Sequence, residues 1–187
     1  MKDRKKRFRD EYFKKIESLS DDYVREGDLS IYNYVISLPE FQAAKSIFAY
    51  YSLGKEPDTR AIIEYALELG KTVSLPICHA RGIMHAHIIR STSELVDGKF
   101  NIPAPPEDSE IIVPEDLDLI LVPAVTFDKA GFRMGKGGGY YDRYLAKTSA
   151  FTVGLARGQL IADEVPCEAT DMSVDCIVTE KGIARLS

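Results

Sequence analysis

An α/β fold, a three-layer α/β/α sandwich around a mostly parallel central sheet, is predicted by three features of the sequence. Short apolar runs rich in β-branched and aromatic residues recur along the chain, segments with helical spacing separate them, and Leu119 to Val122 carries no polar residue at all. Runs apolar on both faces suit strands covered from both sides, and alternation of strand with helix is the pattern of a parallel sheet. The 187 residues, 45% hydrophobic and 28% charged, show no composition shift or repeat, so one domain over residues 1–187 is expected. A domain of this size buries about 70% of its unfolded surface and folds without disulfide or metal staples.

The elements follow in order. From Lys2 to Lys15 eight of fourteen residues are Lys or Arg, while Phe8, Tyr12, Phe13, Ile16 and Leu19 recur at helical spacing. This predicts a basic amphipathic helix over 2–19. Ser20, followed by Asp21 and Asp22, is a fresh N-cap, and a second, broken helical region runs on to Pro39. Ser46 to Tyr51 reads as a strand, Asp58 to Leu69 as a helix stopped by Gly70, and Thr72 to Cys78 as a strand, which together make one βαβ unit. His85 to Arg90 is expected to be a short strand and Ile102 to Pro106 a Pro-rich loop. Leu119 to Val122, Phe151 to Ala156 and Cys176 to Thr179 are further strands, with a helix from Tyr140 to Ala146.

Composition excludes several classes. With 24 Lys plus Arg against 29 Asp plus Glu the net charge is −5, contrary to a surface tuned as a whole to nucleic acid, so any basic site is local. No apolar stretch reaches the roughly 18 residues of a membrane span, and the charged start lacks the apolar core of a leader. Cys78, Cys167 and Cys176 form no C-x-x-C pair and no even set, which reads as free thiols in a reducing compartment. A cytoplasmic monomer acting on small molecules, with no nucleic-acid or membrane partner, is the expectation.

The chemistry concentrates between Val122 and Leu145, where the run Arg133 to Tyr141 alone sets four glycines, two cations and an aromatic pair at the passage from a buried strand to a helix. Ligands of open α/β sheets bind beyond the carboxyl ends of strands, and a glycine-rich turn offers unpaired N–H groups to anions, so phosphate is the natural ligand. Two familiar phosphate loops fail. A P-loop needs Gly where Ala130 stands and Ser or Thr at Gly137, and a dinucleotide fingerprint starting at Gly135 needs a small residue where Tyr140 stands. Arg133 and Lys136 suit phosphate oxygens, and Asp142, just after the loop, suits Mg²⁺.

The run Arg133 to Asp142, an R-x-G-x-G-x-G-Y-Y-D pattern preceded by Val122-Pro123 and Phe127-Asp128, resembles the 5-formyltetrahydrofolate cyclo-ligase (5,10-methenyltetrahydrofolate synthetase) family. Lys5 and Arg9 match its basic N-terminal helix, Glu56-Pro57-Asp58-Thr59 its E-x-D/E-T, Asn101-Ile102-Pro103 the approach to its Pro-rich loop, and Asp171 to Asp175 its D-x-x-x-D. The resemblance implies ATP- and Mg²⁺-dependent closure of 5-formyltetrahydrofolate to 5,10-methenyltetrahydrofolate, through phosphorylation of the formyl oxygen and attack by N10. It implies that Lys5, Arg9, Arg133, Gly135, Lys136, Gly137, Gly138, Gly139 and Tyr140 bind ATP. Tyr51, Glu56 and Tyr140 fall on the folate side, Glu56, Arg133 and Lys136 are the catalytic set, and Asp142 and Asp171 hold Mg²⁺. Two positions depart from the common pattern: Ala104 stands where many members carry Glu, and Gly138 where some carry Lys, which leaves Lys136 as the loop's one lysine.

Taken without the family, these residues have plainer readings. Glu56 alone is a solvated loop carboxylate, Lys5 and Arg9 a solvated helix face, Asp142 a helix cap and Asp171 a turn cap. Tyr50, Tyr51, Tyr140 and Tyr141 stack on a pterin or adenine ring, or belong to the core. The alternatives at the level of function are a nucleotide-binding regulatory protein on this fold without turnover and, more distantly, RNA binding through the basic helix. His85 and His87, at alternate strand positions near Cys78 and His79, offer two metal ligands on one face. A third ligand at sensible spacing is missing from the sequence, which therefore assigns no metal there.

Overall fold

The computed structural model describes residues 1–186, apart from the side chains of Arg81 and Phe100; Ser187, the end of the expected domain, lies outside the described residues. Local chemistry sets the boundaries. Ser20 accepts a hydrogen bond from Tyr23 N at 3.2 Å, which ends α1 (Lys2–Glu17) and starts α2 (Asp21–Ser37). The expected break in this second helix is absent. It runs through Gly27 without interruption, and the space a Cβ would occupy there lies 3.1 Å from the Arg157 guanidinium. Pro39 opens the short α3 (Pro39–Ala43).

Then follow β1 (Ser46–Phe48), α4 (Arg60–Glu68), β2 (Thr72–Cys78), β3 (Met84–Ile89), β4 (Val96–Asp97), β5 (Pro103–Ala104), β6 (Ile111–Ile112) and β7 (Leu119–Val122). The chain closes with β8 (Thr126–Phe127), β9 (Arg133–Met134), α5 (Tyr140–Leu145), β10 (Phe151–Leu155), β11 (Cys176–Thr179) and β12 (Gly182–Arg185). Eight strands form the main sheet in the order β12-β11-β10-β7-β1-β2-β3-β6. The five from β11 to β2 are parallel, and β12, β3 and β6 are antiparallel additions at the edges.

Both faces are covered. Leu119 and Leu121 of β7 pack with Ile31, Val35, Phe41, Ile62 and Ile63 from α2, α3 and α4, whereas Ile120 and Val122 pack with Phe127, Tyr144 and Leu145 on the opposite side. The second layer is thin, consisting of α5 and the β8–β9 hairpin. Helix α1 sits beside that hairpin, where Tyr12 and Leu19 share a cluster with Met134, Leu160 and Val165.

Two expectations need correction. The first strand stops at Phe48 rather than Tyr51, because beyond Ala49 the backbone turns to the start of α4: Thr59 Oγ1 donates to Tyr50 O and accepts from Ser52 N. The Pro-rich segment is not wholly loop, since Pro103–Ala104 pairs with Val96–Asp97 in a two-stranded ribbon. The placement of the site follows from the topology. From β1 the chain proceeds to β2 on one side and later to β7 on the other, so the loops leaving the carboxyl ends of β1 and β7 diverge and open a crevice between them.

Candidate active site

That crevice holds a cavity of about 220 Å³. Tyr50, Tyr51 and Glu56 from the loop after β1 form one wall, and Pro123, Ala124 and the glycine segment after β7 form another. Cys78, Met84 and Tyr141 help to close it. The loop after β1 is held by a residue that no sequence motif marks. Buried Arg157 pairs with Asp28 at 2.6 Å and donates to the carbonyls of Val24, Lys55 and Glu56 at 3.1, 3.2 and 2.9 Å. Glu56 Oε2 accepts from Leu53 N at 2.9 Å, and its Oε1 lies 2.7 Å from Lys136 Nζ. Glu56 is thus no solvated surface carboxylate.

The glycine loop is shaped by cations around its carbonyls. Arg9 Nε donates to Gly135 O at 2.8 Å, and Arg143 NH1 donates to Gly138 O and Gly139 O at 3.1 and 2.7 Å. Gly137 and Gly139 have φ of +100° and +64°, a region where a Cβ meets its own backbone, so the glycines are required by the turn itself. The N–H groups of Lys136, Gly137, Gly138 and Gly139 donate no backbone hydrogen bond among the described residues. Unpaired donors on four successive residues of a positive-φ turn suit an anion. Arg133 anchors the loop's start. It is buried on β9, pairs with Asp142 at 2.6 Å and donates to Met172 O at 2.7 Å. Burial pulls its guanidinium pKa below the ordinary value against the opposing pull of Asp142, yet leaves it a cation at any physiological pH.

On the far side of the loop lies a larger, charged cleft of about 710 Å³, lined by Lys2, Lys5, Arg9, Arg143, Glu168 and Asp171. Arg133, Gly135, Gly137, Gly139 and Asp142 border both spaces, so the loop is a shared wall between a tyrosine-lined cavity and a cationic cleft. Lys5 reaches across the cleft to Asp171 at 2.5 Å and Glu168 at 3.2 Å. Desolvation lowers the Lys5 pKa, but these two carboxylates outweigh it and raise it overall.

The expected site residues are therefore brought together, with a division the sequence did not show. Lys5, Arg9, Arg133, Gly135, Gly137, Gly139, Asp142 and Asp171 line the cleft. Lys136, Gly138 and Tyr140 line the cavity but not the cleft, with Tyr51 and Glu56. Tyr140 is fastened by its hydroxyl to His79 O at 3.0 Å. Buried Tyr50 donates to Pro57 O, and Tyr141 stacks on Phe48 with centroids 6.2 Å apart, although its hydroxyl has no partner among the described residues. Arg143 was missed, and its place one residue past Asp142 was the available signal. Asp142 does not cap α5, whose N-cap is Gly139; it accepts from Met172 N at 3.2 Å, which draws the loop bearing Asp171 alongside. Asp171 Oδ2 accepts from Glu168 N at 2.8 Å as well as from Lys5. Asp142 Oδ2 and Asp171 Oδ1 keep no partner among the described residues. Two such hard oxygen donors beside a phosphate-sized cleft fit Mg²⁺, which takes one or two carboxylates with phosphate and water.

Residues 1–180 match the model of the 5-formyltetrahydrofolate cyclo-ligase family. The chain belongs to that family. The 5-formyltetrahydrofolate cyclo-ligase of Mycolicibacterium smegmatis is 33% identical over 174 residues, covering 87% of this chain and 88% of the relative, and that of Mus musculus is 30% identical over 190 residues, covering 94% and 93%. The solution structure of Aquifex aeolicus 5,10-methenyltetrahydrofolate synthetase superposes with a TM-score of 0.86 at 33% identity, over 97% of this chain and 92% of that one. Glu56 and the run Arg133 to Asp142 thus fall at the crevice that the topology opens. No helix among the described residues is long and apolar enough to cross a membrane.

Proposed function

We propose that this cyclo-ligase-family chain converts 5-formyltetrahydrofolate to 5,10-methenyltetrahydrofolate at the expense of ATP, with the folate in the tyrosine-lined cavity and the nucleotide phosphates in the cationic cleft. The observation that carries the reading is the shared wall: one glycine loop with free N–H donors separates a space suited to an aromatic heterocycle from one suited to phosphates.

The chemical difficulty is the formyl amide, whose oxygen is a poor leaving group. Transfer of the γ-phosphoryl group to that oxygen releases ADP and makes an imidate-like phosphate. N10 attacks its carbon and loses its proton, and departure of inorganic phosphate with the former formyl oxygen leaves the methenyl bridge. No covalent bond to the protein is needed, so positioning and charge neutralisation are the protein's contribution. Arg133, buried at the wall, and the loop N–H groups stabilise the phosphoryl group as it crosses. Arg9 and Lys5 hold the nucleotide side. Glu56 accepts the N10 hydrogen bond and proton, with Lys136 holding its carboxylate in the cavity. Asp142 and Asp171 would hold Mg²⁺, which when bound offsets phosphate charge.

Protein incubated with 5-formyltetrahydrofolate and Mg-ATP is expected to show growing near-ultraviolet absorbance of the conjugated methenyl product, with one ADP formed per turnover. Absence of that absorbance under every ATP and metal condition rules the reading out in favour of a nucleotide binder without turnover.

A further inference from the structure

The β2–β3 hairpin carries three histidines that the proposed reaction does not use. Antiparallel pairing sets Leu75 opposite His87 and Ile77 opposite His85, and His79 N donates to Ile83 O at 2.8 Å just beyond. Side chains alternate along a strand, so odd-numbered positions of the two strands share a face. His79, His85 and His87 stand together on it, each with a ring nitrogen within 4.8 Å of the others'. The ring centroids of His79 and His85 are 5.0 Å apart, and those of His85 and His87 6.4 Å. The third ligand missing from the sequence pattern is His79, supplied from across the hairpin.

Hydrogen bonding decides which nitrogen is available. His87 Nδ1 lies 3.2 Å from the Ser109 carbonyl oxygen, which can only accept, so Nδ1 carries the hydrogen and Nε2 a lone pair. Ser109 Oγ, 3.1 Å from the same Nδ1, spends its own hydrogen on Pro106 O at 2.6 Å and accepts there too. Nε2 of His87 and Nε2 of His79 are both buried with no hydrogen-bond partner among the described residues. Buried polar atoms are ordinarily paired, and two orphaned imidazole nitrogens in one three-histidine cluster call for a ligand. A ring whose Nδ1–H is held by a backbone carbonyl while Nε2 keeps a free lone pair is prepared as metal-binding histidines are.

We propose that His79, His85 and His87 form a binding site for a borderline divalent transition ion of the Zn²⁺ type, with a fourth coordination position open to water. Three imidazoles do not suit hard Mg²⁺, which separates this site from Asp142 and Asp171. With Zn–N bonds of about 2.0–2.1 Å the nitrogens must draw to roughly 3.4 Å apart. Exposed His85 and half-buried His79 supply that movement, and buried His87 stays in place. Tyr140 is fastened to His79 O, so a bound ion would also stiffen the turn against which the start of α5 rests.

The test is equilibrium dialysis of untagged, chelator-stripped full-length protein against Zn²⁺ in excess Mg²⁺, followed by Co²⁺ spectroscopy. One equivalent of Zn²⁺ is expected to bind at micromolar concentration, and Co²⁺ should give the intense visible bands of a tetrahedral site. His85→Ala, on the exposed ring, should weaken Zn²⁺ binding at least tenfold with an unchanged metal-free melting temperature, and His79→Ala should do the same. Absence of stoichiometric binding overturns the site. Parent affinity in His85→Ala also overturns it, because the ion then rests on other groups such as the thiols.

Discussion

Lys136 Nζ lies 2.7 Å from Glu56 Oε1, and this ion pair joins the glycine loop to the loop after β1 across the mouth of the cavity. The two residues come from different edges of the crevice, and each depends on its own support: Glu56 on Arg157 and Leu53 N, Lys136 on the glycine turn. A carboxylate held this way keeps one orientation at the cavity. Glu56→Gln is expected to lower kcat/KM by about 100-fold or more, the usual scale for a positioned proton acceptor, and to weaken folate more than ATP. Lys136→Ala combined with it should cost less than the sum of the two single losses, since the pair acts as a unit. Equal weakening of both ligands by Glu56→Gln would point to a damaged loop instead.

The glycines separate two effects that are usually confounded. A Cβ at Gly137 or Gly139 meets the Arg9 or Arg143 guanidinium at 3.3 or 2.8 Å and forces a side chain into a positive-φ turn, so Gly137→Val and Gly139→Val are expected to abolish ATP binding. Gly135 differs: its added Cβ meets nothing within 4 Å, and its φ is not in the left-handed region. Gly135→Ala should leave stability within about 0.5 kcal/mol of the parent and yet weaken ATP by calorimetry, because only an approaching phosphate would meet the new methyl group. Unchanged ATP affinity in all three variants refutes an anion site at the loop.

The readability of these features from sequence had physical limits. Leu119 to Val122 is legible to the residue because a strand buried on both faces reads as an unbroken apolar run. Glycine, arginine and aspartate in the run 133–142 were legible because turn geometry and phosphate chemistry restrict residue type. Arg157 was not, since one arginine in an ordinary segment carries no mark of the Asp28 and carbonyl partners that bury it. The side of the wall on which Lys136 and Gly138 fall, and the meeting of His79 with His85 and His87, depend on tertiary placement that spacing does not encode.

Arg157 provides a stability prediction. Its guanidinium is 1% exposed and satisfies Asp28 and three carbonyls, so Arg157→Met should cost about 3–5 kcal/mol, the penalty for breaking a buried pair and leaving its partner uncompensated. The loss should appear in the urea midpoint even without ligands. Asp28→Asn should cost less, because the three carbonyls still bind the guanidinium. A midpoint unchanged in Arg157→Met would show that the loop after β1 is held by other contacts.

Acid stability should depend on Asp58. Burial raises its carboxyl pKa, but hydrogen bonds from the Arg60 side chain and backbone and from Ser52 outweigh this and hold it below the usual value. A folded-state pKa depressed below the unfolded value of about 3.9 gives stability that is complete above that pH and lost as pH falls through the folded value. Asp58→Asn should therefore lower stability by about 1–2 kcal/mol at neutral pH, where the charged acceptor is lost, and differ little from the parent at the acid end. A constant difference across the whole range would assign the loss to packing at the start of α4.

The proposed Mg²⁺ ligands now differ in a way that makes them separable. Asp142 is the counter-charge of Arg133, whose side chain is 4% exposed, and it also receives Met172 N, so removing its charge leaves a buried cation short of its partner. Asp171 pairs with Lys5, whose side chain is 19% exposed and also bonded to Glu168, so its loss is cushioned by solvent and by that second carboxylate. Both line the cleft, and each has one oxygen without a partner among the described residues. If both bind Mg²⁺, Asp171→Asn should raise the Mg²⁺ concentration needed for half-maximal turnover several-fold with stability within about 1 kcal/mol, because Lys5 is only partly buried and keeps Glu168 as a partner. Asp142→Asn should raise it as well, but with an accompanying fall in melting temperature. The double variant should be nearly inactive at any Mg²⁺ concentration. Were Asp171→Asn to keep the parent's Mg²⁺ dependence while Asp142→Asn lost only stability, the two carboxylates would serve Lys5 and Arg133 alone, and the metal would be held by the phosphates and water.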